Sequence, residues 1–200
     1  MSKTICIFGD SIAWGATDPV GGGWAGRLSS HFEADPESDN IVYNLGICGD
    51  TAEGLLKRFR TECEARAPQT VIFAIGINDS AYFETKDRPV TNTESFCENL
   101  LELAKQARLI ADKVIFVGLT AVDEARTMPV AWDEGVYYDN ENIAAYDAII
   151  KETAQDGGMD YVWLGSLVGN NDLEDGLHPN SAGHQKIFEK IVQLLVNGQN

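Results

Sequence analysis

The chain has 200 residues, of which 44% are hydrophobic and 23% charged, and its formal net charge at pH 7 is −16. This size and composition predict one soluble domain, spanning residues 1–200, with a single core. So acidic a surface repels phosphate backbones and anionic lipid headgroups, and we expect no nucleic-acid partner.

Targeting and metal-binding signals are absent from the sequence. No apolar run approaches the roughly 20 residues that cross a bilayer, so we expect no membrane insertion. The start, Met1-Ser2-Lys3-Thr4, resembles no signal peptide and favours the cytoplasm. The three histidines are dispersed, and the cysteines form no C-x-x-C pair, so we expect free thiols and no zinc or other cofactor. The cysteines are Cys6, Cys48, Cys63 and Cys97, of which the first, third and fourth lie in strand or helix patterns that predict burial.

Five short runs rich in β-branched and aromatic residues predict strands at 4–8, 41–45, 70–75, 113–119 and 160–164. Several are continuous apolar runs, which is typical of strands covered on both faces. Apolar residues at helical spacing fill the intervals between them. These helical stripes are Trp24/Leu28/Phe32; Leu55/Phe59/Cys63 after a capping-box-like Asp50 and Glu53; Phe96/Leu100/Leu103/Ala107/Ile110; Ile143/Tyr146/Ile150 after Asp139 or Asn140; and Ile187/Ile191/Leu194/Leu195, from about Ser181 to a stop at Gly198.

This alternation of strand and helix predicts an α/β fold whose five-stranded parallel sheet carries helices on both faces. One stretch breaks the alternation: residues 120–138, here called the 120–138 segment. It contains Met128, Pro129, Trp132, Tyr137 and Tyr138. A loop of this length in a compact domain is usually functional or disordered, and the aromatic content argues against disorder.

Reactive side chains follow the predicted strands at their carboxyl ends, where open parallel sheets form their sites. The stretch after the first strand, Gly9-Asp10-Ser11, fits two interpretations. In one, Asp10 or Ser11 caps the next helix. In the other, Ser11 is a nucleophile on a sharp turn, which Gly9 permits because glycine can adopt unusual backbone angles. The stretches are Gly9-Asp10-Ser11, Asn44-Leu45-Gly46-Ile47-Cys48-Gly49-Asp50, Gly76-Ile77-Asn78-Asp79 and Asp175-Gly176-Leu177-His178-Pro179.

Together these stretches contain a candidate nucleophile, a base for it and a residue that can orient the base. Ser11 needs a neighbouring base, His178 can take its proton, and Asp175 can hold the second ring nitrogen of His178. An oxyanion formed by attack on an acyl carbon needs preorganised donors. The available donors are the backbone amides of Ser11 and Gly49 and the side-chain amide of Asn78.

The four stretches, in this order, resemble the conserved blocks of the GDSL, or SGNH, hydrolases, and the resemblance runs from near the first residue to near the last. It implies a flavodoxin-like three-layer α/β/α fold and a metal-independent esterase, lipase or thioesterase acting on a small-molecule ester. Ser11 would be the nucleophile, Gly49 and Asn78 would complete the oxyanion hole, and Asp175 and His178 the triad. Gly49 is preferred over Gly46 because Gly49-Asp50-Thr51 matches the family's Gly-Asp-Thr pattern.

Other interpretations remain for several of these residues. Asn78 and Asp79 form an ordinary polar turn in one alternative, and His178 lies on the surface in another. A flavodoxin-like or receiver-like binding module is the alternative function, because Asp10 and Asp79 could form an acidic metal pocket. We expect no phosphate loop at residues 21–28, a turn role for Ser166, and structural or solvated roles for His31 and His184.

The substrate is not defined by these patterns. Trp14, Tyr82, Phe83 and the aromatics of the 120–138 segment could line an acyl pocket or stack on a sugar ring. Trp14, Tyr82 and Trp132 are our candidate substrate contacts, and ordinary packing is the alternative for each.

Overall fold

A computed structural model describes residues 3–35 and 37–197 and places a five-stranded parallel sheet at the centre of the chain. All five predicted strands are confirmed, with ends one or two residues from those expected. The sheet strands are β1 (Thr4–Gly9), β2 (Ile41–Gly46), β3 (Thr70–Ala74), β5 (Lys113–Val117) and β7 (Asp160–Val162); β4 (Tyr82–Phe83) and β6 (Val136–Tyr137) form a separate antiparallel pair.

The five predicted stripes coincide with helices, although Ile110 lies beyond the end of its helix at Arg108, and two four-residue helices, Ser11–Trp14 and Glu124–Thr127, have no predicted stripe. The start of α3 differs from expectation, since the Thr51 side chain, rather than Asp50, accepts from the Gly54 amide and caps it. Asp139 caps α6 as expected, and the proposed stop at Gly198 lies outside the described residues. The helices are α1 (Ser11–Trp14), α2 (Gly23–Phe32), α3 (Ala52–Glu64), α4 (Thr93–Arg108), α5 (Glu124–Thr127), α6 (Asn140–Asp156) and α7 (Ser181–Asn197), with short 3-10 turns at Gly165–Leu167 and Asn170–Asp172.

Strand order is β2-β1-β3-β5-β7, so the chain moves to one side of β1 and then crosses to the other. The topological switch point therefore lies between β1 and β3, where ligand sites of such sheets form. Gly9 at the end of β1 pairs with Gly46 of β2 and with Ala74 of β3. The loops that follow these three strands thus start at the same level of the sheet edge.

Two apolar clusters cover the two faces of the sheet, as the continuous strand runs predict. Alternate residues of β1 face opposite sides, with Phe8 in the cluster of α3, α4 and α6 and Ile7 in the cluster of α2 and α7. The fold is therefore the expected three-layer arrangement. Over the described ranges, no helix combines the length and apolarity that a bilayer crossing requires.

The 120–138 segment is more ordered than a simple loop. It contains α5 and β6, and β6 pairs with β4 through Tyr82 and Tyr137. These two-residue strands gave no periodic signal in the sequence, and their pairing depends on the fold around them. Among the cysteines, Cys6 and Cys63 are buried free thiols as expected, whereas Cys97 is half-buried and Cys48 is exposed.

Candidate active site

Ser11 begins α1 immediately after β1. The preceding residue, Asp10, caps this short helix by accepting a hydrogen bond from the Ile12 amide at 2.9 Å. The capping interpretation is thus correct for Asp10, while the Ser11 hydroxyl remains available for another partner. The sequence analysis explained Gly9 by unusual backbone angles, and this explanation is wrong because the φ of Gly9 is not positive. A Cβ at this position would instead lie 2.2 Å from the Ala74 carbonyl oxygen. Glycine is required because β3 passes so close.

Ser11, His178 and Asp175 lie in one hydrogen-bonded line. Ser11 Oγ is 2.9 Å from His178 Nε2, and His178 Nδ1 is 2.7 Å from Asp175 Oδ2. Burial opposes ionisation of Asp175, but hydrogen bonds from the His178 ring and from the His178 and Leu177 amides outweigh it. They lower the pKa of Asp175 to about 2. Asp175 is therefore a stable anion beside the imidazole.

The loop that carries His178 is fastened by the 120–138 segment. The Asp123 amide donates to the Gly176 carbonyl at 2.9 Å. Arg126 donates to the carbonyl oxygens of Glu174 and Leu173 at 2.8 and 3.3 Å. The segment thus supports the histidine loop as well as covering part of the sheet edge.

Asn78 follows β3 and lies opposite the loop after β2. Its Nδ2 donates to the Asp50 carbonyl oxygen at 2.9 Å, and its Oδ1 accepts from the Tyr138 hydroxyl at 3.1 Å. An amide nitrogen carries two hydrogens, so the bond to Asp50 leaves one of them for another acceptor. Asn78 is therefore more constrained than a surface turn requires.

Gly46 and Gly49 have different surroundings. A Cβ at Gly46 would lie 2.4 Å from the Trp14 amide nitrogen, so this glycine allows α1 to pack on β2. Gly49 has φ +79° and open space where a Cβ would point. Gly46 therefore has a packing role, whereas Gly49 presents its backbone on the exposed side of the loop.

Asp10 and Asp79 are both buried, but each is used in a separate structural bond. Asp79 accepts from the Ala52 amide with both carboxylate oxygens, at 3.2 and 3.0 Å, which ties the loop after β3 to the start of α3. Burial raises the pKa of Asp10 to about 7 and that of Asp79 to about 6. A receiver-like acidic pocket needs carboxylate oxygens free for a ligand, but both oxygens of Asp79 and one oxygen of Asp10 accept from backbone amides.

The three predicted substrate contacts differ in exposure. Trp14 and Trp132 are 56% and 54% exposed, and the Trp132 ring centroid lies 5.7 Å from that of His178. Tyr82 is 4% exposed and stacks on Tyr137 at 5.6 Å. This burial favours a packing role for Tyr82 over the predicted substrate contact.

The remaining polar predictions are not part of the hydrogen-bonded line from Ser11 to Asp175. His184 is fully buried, accepting from the Trp24 amide and bonding the Ala16 carbonyl, and its burial lowers its pKa. His31 is exposed, and Ser166 lies in a 3-10 turn. In the glycine-rich stretch, Arg27 pairs with the buried Asp18, so the local charges are already matched.

Sequence reasoning did not find the contacts that Arg58 and Tyr138 make with the site. Arg58 binds the Asp50 carboxylate through Nε and Nη2 at 2.9 and 2.7 Å and so anchors the loop after β2. Tyr138 contacts Asn78 from a position 60 residues further along the chain. The spacing of eight residues between Asp50 and Arg58 offered a weak helical signal for the first pair, and no pattern linked the second.

Comparison with known proteins gives three results. The sequence model of the GDSL-like lipase/acylhydrolase family matches residues 7–186. The uncharacterized protein YpmR of Bacillus subtilis strain 168 is 23% identical over 210 residues, which cover 96% of this chain and 80% of YpmR. Two solved structures share the fold: Axe2, an acetylxylan esterase of Geobacillus stearothermophilus (19% identity, TM-score 0.75, 96% and 93% of the two chains), and LAE5, an α/β hydrolase from the Lake Arreo metagenome (23%, 0.75, 98% and 95%).

Proposed function

The chain belongs to the GDSL-like lipase/acylhydrolase family, and we propose that it is a carboxylic ester hydrolase that cleaves small esters or thioesters through an acyl-enzyme on Ser11. The observation that carries this mechanism is the line of hydrogen bonds from Ser11 Oγ through His178 to Asp175. A serine hydroxyl is a weak nucleophile unless a base removes its proton. This line supplies the base and the group that orients it.

The proton positions follow from the partners of His178. Asp175 is an anion, so His178 Nδ1 carries the hydrogen and donates it to Asp175 Oδ2. His178 Nε2 is then unprotonated and accepts from the Ser11 hydroxyl. This is the tautomer in which histidine serves as a general base.

The oxyanion donors would be the Ser11 and Gly49 amides and the free Asn78 Nδ2 hydrogen. Neither amide donates to another group within residues 3–35 and 37–197. The positive φ of Gly49 and the open space beside it would let a substrate oxygen approach its N–H. Preorganised donors of this kind stabilise the charge that develops on the carbonyl oxygen.

Catalysis would proceed in two acyl transfers. Ser11 Oγ attacks the carbonyl carbon while His178 takes its proton, and the tetrahedral intermediate collapses as His178 gives that proton to the leaving alcohol or thiol. Water then attacks the acyl-enzyme, again losing a proton to His178, and the acid departs as Ser11 recovers its hydrogen. His178 serves as a base only while its ring is neutral.

Trp14 and Trp132, both about half exposed, are the proposed contacts for the rest of the substrate. An exposed indole can bind an apolar acyl chain or stack on a sugar ring. Axe2 is an acetylxylan esterase, so an acetylated sugar is one candidate substrate beside simple aryl esters and thioesters.

A fluorophosphonate probe tests the nucleophile. We expect stoichiometric labelling of Ser11, and we expect Ser11→Ala to abolish both labelling and hydrolysis of an ester panel. Ser166→Ala is the matched control, since Ser166 lies in the 3-10 turn after β7 and is not part of the hydrogen-bonded line from Ser11 to Asp175, and it should behave as wild type. Labelling at Ser166, or hydrolysis that survives Ser11→Ala, would overturn the proposal.

A further inference from the structure

Tyr138 reaches the candidate oxyanion hole from the far end of the 120–138 segment. It is 6% exposed, and its hydroxyl donates to Asn78 Oδ1 at 3.1 Å. Tyr138 belongs to none of the four sequence blocks that carry the family resemblance. Its hydroxyl is nevertheless bonded to one of the three groups that we propose as oxyanion donors.

The orientation of the Asn78 amide is fixed by its two partners together. The Asp50 carbonyl oxygen can only accept, so the Asn78 atom 2.9 Å from it must be the nitrogen. The other end of the amide is then the oxygen, and it needs a donor, which Tyr138 provides. A flipped amide would lose both hydrogen bonds.

Tyr138 is itself held in place. Its amide donates to the Thr127 carbonyl at 3.0 Å, and its carbonyl accepts from Thr127 Oγ1 at 2.8 Å. Burial, and then the nearby Asp10 carboxylate, raise the pKa of Tyr138. The hydroxyl therefore keeps its proton and serves as a donor throughout the working pH range of a serine esterase.

We propose that Tyr138 is a positioning residue that locks the Asn78 amide with its second hydrogen directed at the developing oxyanion. This inference rests on the proposed function. Without the hydroxyl, the amide can rotate, and in the flipped state its oxygen would face the negative charge. Only the fraction of molecules in which the Asn78 nitrogen faces the oxyanion would then stabilise the transition state.

Tyr138→Phe tests this role because it removes only the hydroxyl. We expect kcat to fall about 10-fold with KM within about twofold, a smaller loss than removal of the donor itself produces. Tyr161→Phe is the matched control: it also removes a tyrosine hydroxyl bonded to a side-chain oxygen, Asp147 Oδ2 at 2.7 Å, but one that does not contact Asn78. Its kcat should match wild type.

A double-mutant cycle separates positioning from general support of the fold. In an Asn78→Ala background there is no amide to orient, so Tyr138→Phe should cause no further loss of kcat. An equal fold-loss of kcat in both backgrounds, or a wild-type kcat in the single variant, would overturn the inference.

Two unnatural side chains at position 138 keep the test decisive if Tyr138→Phe folds poorly. 4-Fluorophenylalanine fills the volume of the hydroxyl without donating and should reproduce the kcat loss. 4-Aminophenylalanine restores a donor and should recover kcat, and failure of this rescue in folded protein would contradict the inference.

Ser11→Ala, assayed in parallel, tells the two proposals apart. If Ser11→Ala retains hydrolysis, the proposed function fails. If it is inactive while the 4-fluorophenylalanine protein keeps wild-type kcat, only the role of Tyr138 fails.

Discussion

The two sides of the sheet edge are built differently. On one side, the loops after β1 and β3 carry Ser11, Asp10 and Asp79, which are 6%, 2% and 0% exposed. Ser11 and Asp79 are bonded to His178 and Ala52 of other segments, and Asp10 caps α1. On the other, the tip of the 120–138 segment presents Met128 and Trp132 at 42% and 54% exposure. The first region holds buried polar groups in one geometry, and the second exposes apolar surface, which under the proposed function would contact the substrate.

This contrast matches the separate demands of the reaction steps. Transition-state stabilisation needs donors fixed before the charge develops, because reorganisation during the reaction costs free energy. Substrate choice needs exposed surface that contacts the part of the ester away from the carbonyl. We therefore expect changes in the first region to alter kcat or stability, and changes at the tip to alter substrate preference.

The largest effect should come from Asn78→Ala. Its amide would contribute mainly in the transition state, so kcat should fall by about 10²–10³ while KM changes little. Phosphonate labelling of Ser11 should be slowed but not abolished, because Ser11 and His178 remain. Steady-state kinetics on active-site-titrated protein provide the measurement.

A second substitution at the same position sharpens the result. Asn78→Asp offers no donor and opposes the oxyanion, so it should be at least as damaging as Asn78→Ala. If Asn78 is only a turn residue, the variants will melt at lower temperature while kcat per titrated molecule stays near wild type. That outcome would mean that Asn78 stabilises the fold and does not stabilise the oxyanion.

Asp10→Asn should change stability in a pH-dependent way. Burial raises the pKa of Asp10 from 3.8 to about 7, so between these values the folded state holds a proton that the unfolded state has released. The wild-type fold is therefore destabilised as pH rises through this window. Asparagine keeps an acceptor for the Ile12 amide without the charge, so the Tm of Asp10→Asn relative to wild type should increase from pH 4 to pH 8. The gain is at most a few kcal/mol, at about 1.4 kcal/mol per pKa unit.

Asp18→Asn is the matched control with the opposite sign. Asp18 is as buried as Asp10, but the hydrogen bond and charge of Arg27 outweigh that burial and lower its pKa. Its stabilising contribution is present above the unfolded value and is lost as pH falls. The Tm of Asp18→Asn relative to wild type should therefore decrease from about pH 2 to pH 5, around the ordinary aspartate pKa, and stay nearly level from pH 5 to pH 8. If the Tm of Asp18→Asn relative to wild type rises with pH as that of Asp10→Asn does, then burial of the Asp10 charge is not the cause of the pH dependence.

Much of the fold was predictable because it depends on local periodicity. Buried parallel strands read as apolar runs, and the chemistry of an acyl transfer selects few residue types, so Ser11, Asn78 and His178 could be named as candidates at strand and loop ends. What failed depended on space or on distant partners. Gly9 is required by the approach of Ala74, Thr51 rather than Asp50 caps α3, and β4 pairs with β6 across the 52 residues 84–135. The bond between Tyr138 and Asn78 is of the same kind, since no spacing rule connects them.

The smallest effect we predict is at the tip. Trp132 is half exposed beside His178, so truncation should leave the triad intact but remove apolar contact with the acyl or leaving group. Trp132→Ala should change the ratio of kcat/KM between long and short acyl esters by about 3- to 10-fold, in line with the ~0.5–1.5 kcal/mol of an aromatic contact. The rate on the smallest ester should change least. Trp163→Ala is the control, because Trp163 is 52% exposed and follows β7 with no ring contact to His178 among the described residues. An unchanged ranking of esters in Trp132→Ala, accompanied only by a lower Tm, would mean that the tip is packing surface and takes no part in substrate choice.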